Sequence, residues 1–157
     1  MDKSVNIEIP IGKYFAFFTK QYIGMFTKSL ADLPIERYFY PLYLIAKKSG
    51  NTNQKELTRL LDTDKVTVNR IIDYLTKHKM ISKKINPSDK RSYNLLATKE
   101  ADEFIPRIEE AIQKTNEAFL STIEDQEVFH QMICNLHKGL QHQDIDIISL
   151  SYKRLKK

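Results

Sequence analysis

Between Asn53 and Leu96 two short amphipathic helical patterns follow each other with barely a break and lead straight into a basic hairpin pattern, a succession that few folds accept. Asn53 and Glu56 have capping-box spacing, so they open a helix whose apolar face is Leu57, Leu60 and Leu61. Asp62-Thr63-Asp64 breaks it, and Asp64 is placed to cap the next helix, from Lys65 to about His78. Val68, Ile71, Ile72 and Leu75 recur at three- and four-residue steps and form that helix's inner stripe. The other face carries Lys65, Thr67, Asn69, Arg70, Asp73 and Lys77, side chains suited to phosphates and base edges. Met80–Ile85 reads as a strand, Asn86-Pro87-Ser88-Asp89 as a turn, and Ser92–Leu96 as the returning strand.

The flanks are helical. After an extended start, Ile11 to Leu30 reads as a helix with Phe15, Phe18, Tyr22 and Met25/Phe26 on one face. Asp32-Leu33-Pro34 punctuates it, and a second helix is expected from Ile35 to Lys48, with a kink where Pro41 removes a donor. Thr98 should cap one long helix reaching Phe119, and a last helix begins near Glu124. The tail Asp144–Lys157 repeats the helical pattern more weakly. The expected order is α-α-α-α-β-β-α-α, an α+β fold that is mostly α. With only four glycines and five prolines, a large all-β fold, rich in turns, is excluded.

Charge is concentrated in the same stretch. Residues 47–91 hold twelve Lys/Arg against five Asp/Glu, a net of +7, while the rest of the chain holds thirteen against fifteen. A basic middle on a near-neutral scaffold fits a polyanion-binding module, although a solvated lysine-rich surface would give the same count. Position decides between them. Two short helices and a hairpin carrying Lys83, Lys84, Lys90 and Arg91 make a winged helix-turn-helix, residues 53–79 being the helix pair and 82–96 the wing. The second helix of such a pair enters the major groove, and the wing reaches phosphates or the adjacent minor groove. The apolar surface of the first and last helices exceeds what a small winged lobe can cover, so a second copy is expected to bury it.

Two stretches resemble the MarR (multiple antibiotic resistance regulator) family. Asp64-Lys65-Val66-Thr67-Val68-Asn69-Arg70-Ile71-Ile72-Asp73-Tyr74-Leu75 is similar to its recognition helix. Asn86-Pro87-Ser88-Asp89-Lys90-Arg91 with Leu95-Leu96-Ala97-Thr98 resembles its wing signature, an Asp-x-Arg tip and a Leu-Thr step into a long helix. The helix order matches over roughly residues 10–142. The resemblance implies a homodimer interlocked through residues 1–30 and 99–157, binding pseudo-palindromic double-stranded DNA as a transcription repressor released by a small aromatic effector. It further implies that Arg91 enters the minor groove, that Asp89 orients the wing, and that Lys65, Val66, Thr67, Asn69 and Arg70 meet the operator with Lys83 and Lys90. Val66 departs from the family's usual Ser or Thr, and His78-Lys79 replaces its Lys-Gly helix stop.

Other readings compete at particular residues. Tyr14, Phe15, Phe18, Tyr22, Tyr38 and Tyr43 supply aromatics for an effector pocket, or simply core. His130, Cys134 and His137 stand on one face of the last helix at a spacing that could gather zinc, but no fourth ligand accompanies them, and no metal or cofactor is expected. A glycine-rich phosphate loop, nucleophile elbow and zincin motif are all missing, so an enzyme is not expected. A winged helix that docks on protein instead of DNA is the alternative. The single cysteine, the absence of a secretory pattern and the longest apolar run, Tyr38–Ala46 interrupted by Pro41, fit a cytoplasmic protein without a membrane span.

Overall fold

The computed structural model describes residues 10–141. The expected extended start, the tail Asp144–Lys157 and the outer parts of the ranges 1–30 and 99–157 lie outside the described residues. The chain divides into two units, Met1–Phe119 and Leu120–Lys157.

In the first unit, α1 spans Ile11–Lys28 and buries only Phe26. The chain then turns through the buried residues Leu30, Leu33 and Ile35. The second helix, α2, spans Phe39–Lys47, four residues later than its expected start. Pro41 is why the expected kink does not arise. It is the third residue of the first turn, where a backbone N–H has no intrahelical acceptor to lose. Tyr38, just before the helix, takes the left-handed conformation with φ 65°.

A two-residue strand, β1 (Thr52–Asn53), was too short to leave a periodic signal. The helix α3 (Gln54–Leu60) starts where Asn53 Oδ1 accepts a bond from the Glu56 N–H at 2.9 Å. The Glu56 carboxylate does not return the capping-box bond; it holds Arg59 at 2.8 Å instead. Leu57 is fully buried, whereas Leu60 and Leu61 are half-buried. The next helix, α4, spans Lys65–Lys77 and buries Val68, Ile71, Ile72 and Leu75, the expected stripe. Its end needs no glycine. Lys79 takes the left-handed position itself (φ 59°), its N–H bonding Thr76 O at 3.0 Å while the Met80 N–H bonds Leu75 O at 2.9 Å. That is the Schellman closure, anchored by buried Met80 and carrying a left-handed lysine at roughly 1 kcal/mol.

Strands β2 (Ile81–Asn86) and β3 (Asp89–Ala97) form the hairpin, and β1 pairs on the far side of β3 to give an antiparallel sheet ordered β1-β3-β2. Thr98 caps the short helix α5 (Lys99–Asp102), accepting from the Ala101 N–H at 3.2 Å and donating to Lys79 O at 2.8 Å. The expected single long helix is broken here, and α6 (Ile105–Leu120) begins anew. Pro106 explains the break: it has no N–H for the Asp102 carbonyl, and its ring would collide with that carbonyl in a continuous helix. Buried residues from α2, α3, α4, the sheet, α5 and α6 form one continuous core with Leu42, Ile45, Leu57, Leu75, Leu95 and Ile108 at its centre. The winged lobe therefore has no separate core of its own.

The second unit's helix α7 (Gln126–Gln141) is capped by Asp125, whose Oδ1 accepts from the Val128 N–H at 2.9 Å. None of its residues is buried. Among the described residues no helix is long and apolar enough to cross a membrane.

The cap of α4 gives a pH test. Asp64 accepts the Thr67 N–H at 2.9 Å and the Thr67 hydroxyl at 2.7 Å, and these bonds hold its carboxyl below the usual carboxylate range. Because the folded value is the lower one, the cap's contribution is complete above the ordinary value near 3.9 and vanishes as pH falls through the folded value. Asp64→Ala should therefore lower the melting temperature at about pH 6, and the gap from wild type should narrow as pH falls below the ordinary carboxylate value of about 4. Circular-dichroism melts at several pH values check this; a gap that persists unchanged in acid would contradict it.

Candidate nucleic-acid interface

Burying Val68, Ile71, Ile72 and Leu75 turns the opposite side of α4 outward. Lys65, Val66, Asn69 and Arg70 are exposed there, and Thr67 is half-buried. Thr67 has a second task, since its hydroxyl proton is committed to Asp64. Its oxygen can still accept a bond but no longer donates one. Val66, 59% exposed, presents a bare apolar surface at the first turn.

The hairpin tip is set by local hydrogen bonding. Ile85 pairs with Tyr93, yet Asn86 pairs with Asp89, so Lys90, Arg91 and Ser92 leave the ladder as an excursion. Asp89 organises it: Oδ1 accepts from the Arg91 N–H at 3.0 Å, and its carbonyl accepts from the Ser92 hydroxyl at 3.1 Å. Asn86 Oδ1 accepts from the Ser88 N–H at 2.9 Å on the other side of the turn. A short side chain tied to the backbone two residues on is the Asx arrangement, which fixes a turn without strand pairing. Lys90 and Arg91 project from it, both exposed.

Helix and wing meet in a cleft of about 250 Å³. It gathers Asn69 of α4, Lys83, Asp89 and Arg91 of the hairpin, and three residues the sequence reading missed as site residues: Asn53, Gln54 and Lys55. Gln54 Nε2 donates to Asn69 Oδ1 across the two helices. A second cleft of about 310 Å³ joins Lys65 to Gln54, Lys55 and Thr58. Val66, Thr67, Arg70 and Lys90 line neither cleft. Asp73 lies 3.7 Å from Lys83, a solvent-exposed pair that holds the lysine only weakly. No pattern signal could place Gln54 against Asn69, because their meeting depends on how α3 and α4 pack.

The aromatic candidates separate. Tyr22 and Tyr38 line a cavity of about 560 Å³ together with Phe26, Arg37, Tyr40, Ile112 and Asn116. Phe15 and Phe18 line a shallower neighbour of about 250 Å³ with Tyr22. Tyr14 and Tyr43 line neither: Tyr14 stacks on Phe18, and Tyr43 donates to Glu109 at 3.3 Å. One wall of the larger cavity touches α4. The Arg37 guanidinium sits 4.9 Å from the Tyr74 ring centre, Tyr38 meets Tyr74 edge-on at 5.2 Å, and the Glu36 N–H donates to the Tyr74 hydroxyl at 3.1 Å. Burial and neighbouring Tyr40 push the Tyr22 phenol above its ordinary range, so it stays neutral and able to donate, as it does to Asn116 Oδ1 at 2.6 Å.

The three α7 candidates do not converge. Cys134 Sγ lies 3.4 Å from His130 Nε2, while His137 Nε2 lies 3.3 Å from Gln141 Nε2. Among the described residues no three His, Cys, Asp or Glu side chains are grouped to hold a metal ion.

Comparison with known proteins adds three findings. Residues 42–93 match the model described as MarR family. The HTH-type transcriptional regulator BilQ of Clostridioides difficile (strain CD3) is 27% identical over 100 residues, covering 64% of this chain and 66% of the relative, so the match spans just under two thirds of BilQ. Among solved structures, a MarR protein from Peptoclostridium difficile superposes with a TM-score of 0.76 at 23% identity over 90% of this chain and 92% of that one. The MepR–DNA complex of S. aureus gives 0.73 at 18% identity, over 85% and 98%. Likeness at these identities is one of fold.

Proposed function

We propose that the chain is a MarR-family protein, the family whose model matches residues 42–93, and that it is a sequence-specific transcription regulator, a repressor that binds a pseudo-palindromic operator as a homodimer. The observation that carries the reading is the cleft in which Asn69, Lys83 and Arg91 converge from helix and wing. A helix seated in the major groove would point Lys65, Val66, Asn69 and Arg70 at the bases, and the Asp89-ordered tip would carry Arg91 toward the neighbouring minor groove. Val66 suits a thymine methyl there. The superposable MepR was solved on DNA, and its fold is the one seen here.

Geometry and surface both favour two copies. Ile11, Phe15, Phe17 and Phe18 of α1 are between 41% and 71% exposed. In the second unit Val128, Met132, Ile133, Leu136 and Leu140 are between 40% and 64% exposed. Apolar surface on this scale is best covered by a self-complementary contact, which would also set two recognition helices roughly 34 Å apart on one palindrome. The roughly 560 Å³ cavity suits a small aromatic effector. A ligand that displaces Tyr38 would disturb Tyr74, and so the helix that reads DNA.

Selection of bound sequences from random duplex DNA tests the reading. Arg91→Ala should weaken binding of the selected operator strongly while the protein stays folded, and Lys83→Ala should lower affinity for all sequences about equally. Full affinity of Arg91→Ala in gel shift would rule out the wing's role. Light scattering should give a dimer at micromolar concentration; a monomer that still binds a palindrome tightly would overturn the assembly. Within a panel of substituted phenols, those that raise the melting temperature should also release the operator. Both effects should vanish in Ile112→Trp, which fills the cavity, and a panel without effect on either would remove the effector.

A further inference from the structure

We propose that Gln54 is a positioning residue that decides which base Asn69 reads, an inference that rests on the DNA-reading role proposed above. Gln54 is the first residue of α3, and its place is fixed from both sides. The preceding Asn53 is paired to Asn94 in the sheet and caps the helix through Glu56. The following turn is anchored by fully buried Leu57. From there Gln54 Nε2 donates to Asn69 Oδ1 on the exposed face of α4, within the cleft that also holds Arg91.

A carboxamide has one acceptor oxygen and two N–H donors. An unengaged asparagine uses both ends at once to contact adenine N6 and N7. Asn69 is biased away from that pose, because Gln54 occupies one of the two lone pairs of its oxygen and orients the amide, while both Nδ2 hydrogens are left for the groove. A pair of donors is met best by an edge without a donor of its own, guanine O6 and N7 or thymine O4, whereas adenine sets its N6–H2 donor beside N7. The glutamine thus turns Asn69 from a two-point adenine reader into a donor that prefers guanine or thymine.

Replacing one atom type reverses the arrangement. In Gln54→Glu the carboxylate accepts only, so Asn69 must give it Nδ2 and turn Oδ1 toward the groove. An outward acceptor selects the N–H donors of adenine N6 or cytosine N4. Folding should not suffer, because a carboxylate in the first turn of a helix is favoured by the helix dipole. Gln54→Ala is the second variant: it frees both ends of Asn69 and should favour adenine.

The experiment is selection from random duplex DNA with full-length wild type, Asn69→Ala, Gln54→Glu and Gln54→Ala, with melting curves to confirm folding. Wild type should enrich guanine or thymine at one operator position that loses its preference in Asn69→Ala. At that position Gln54→Glu should enrich adenine or cytosine, and Gln54→Ala adenine, each changed by about tenfold relative to wild type. A preference altered by Asn69→Ala but by neither Gln54 variant would overturn the inference and leave the DNA-reading role standing. So would a motif that Asn69→Ala leaves intact. Wild type that enriches no motif would remove the DNA-reading role, and the inference with it.

Discussion

Burial of Val68, Ile71, Ile72 and Leu75 fixes the rotation of α4 about its own axis, and the rest of the site follows from that rotation. With these four side chains in the core, the helical period leaves Lys65, Val66, Asn69 and Arg70 nowhere to point but outward. Axial position is fixed separately, by Asp64 at one end and by the left-handed Lys79 with buried Met80 at the other. The same core takes in Ile81 and Leu95 of the hairpin, so the wing is registered against the helix by shared packing and not by a hinge. Thr98, bonded to the Lys79 carbonyl, ties the far end of the hairpin back to the end of α4. Helix and wing therefore present their side chains as one surface.

Electrostatics works on that surface in a different way. The ion pairs there, Lys83 with Asp73 and Arg59 with Glu56, are solvent-exposed and add little stability. Their significance lies in the surplus of cations over residues 47–91, which raises the local concentration of a polyanion and slows its departure without specifying sequence. In the proposed reading, specificity comes from groups whose direction is fixed by hydrogen bonds: Thr67 on Asp64, Asn69 on Gln54, and the Arg91 backbone on Asp89.

Much of this was legible in the sequence, because periodic burial and local capping are written in neighbouring residues. The α4 stripe, the caps Asn53, Asp64 and Thr98, and the hairpin turn all follow from spacing within four residues. What was not legible depends on distant parts of the chain. Strand β1 exists only because β3 lies beside it, and the Gln54–Asn69 pair exists only because α3 packs on α4. Tyr38 reads as pocket or core and Arg37 as an ordinary helix-start residue, yet together they form the contact between a cavity and Tyr74 of α4. The break at Pro106 is itself legible in the sequence, since a proline in a helical run removes a donor whatever the apolar pattern says.

The central claim is that helix and wing form one cationic, direction-fixed surface for duplex DNA, and the salt dependence of binding tests it most directly. Affinity for a selected operator should fall linearly on a logarithmic plot against salt, losing on the order of a thousandfold between about 50 and 200 mM as phosphate counterions are displaced. An affinity for that duplex that stays level across the same range would contradict the claim.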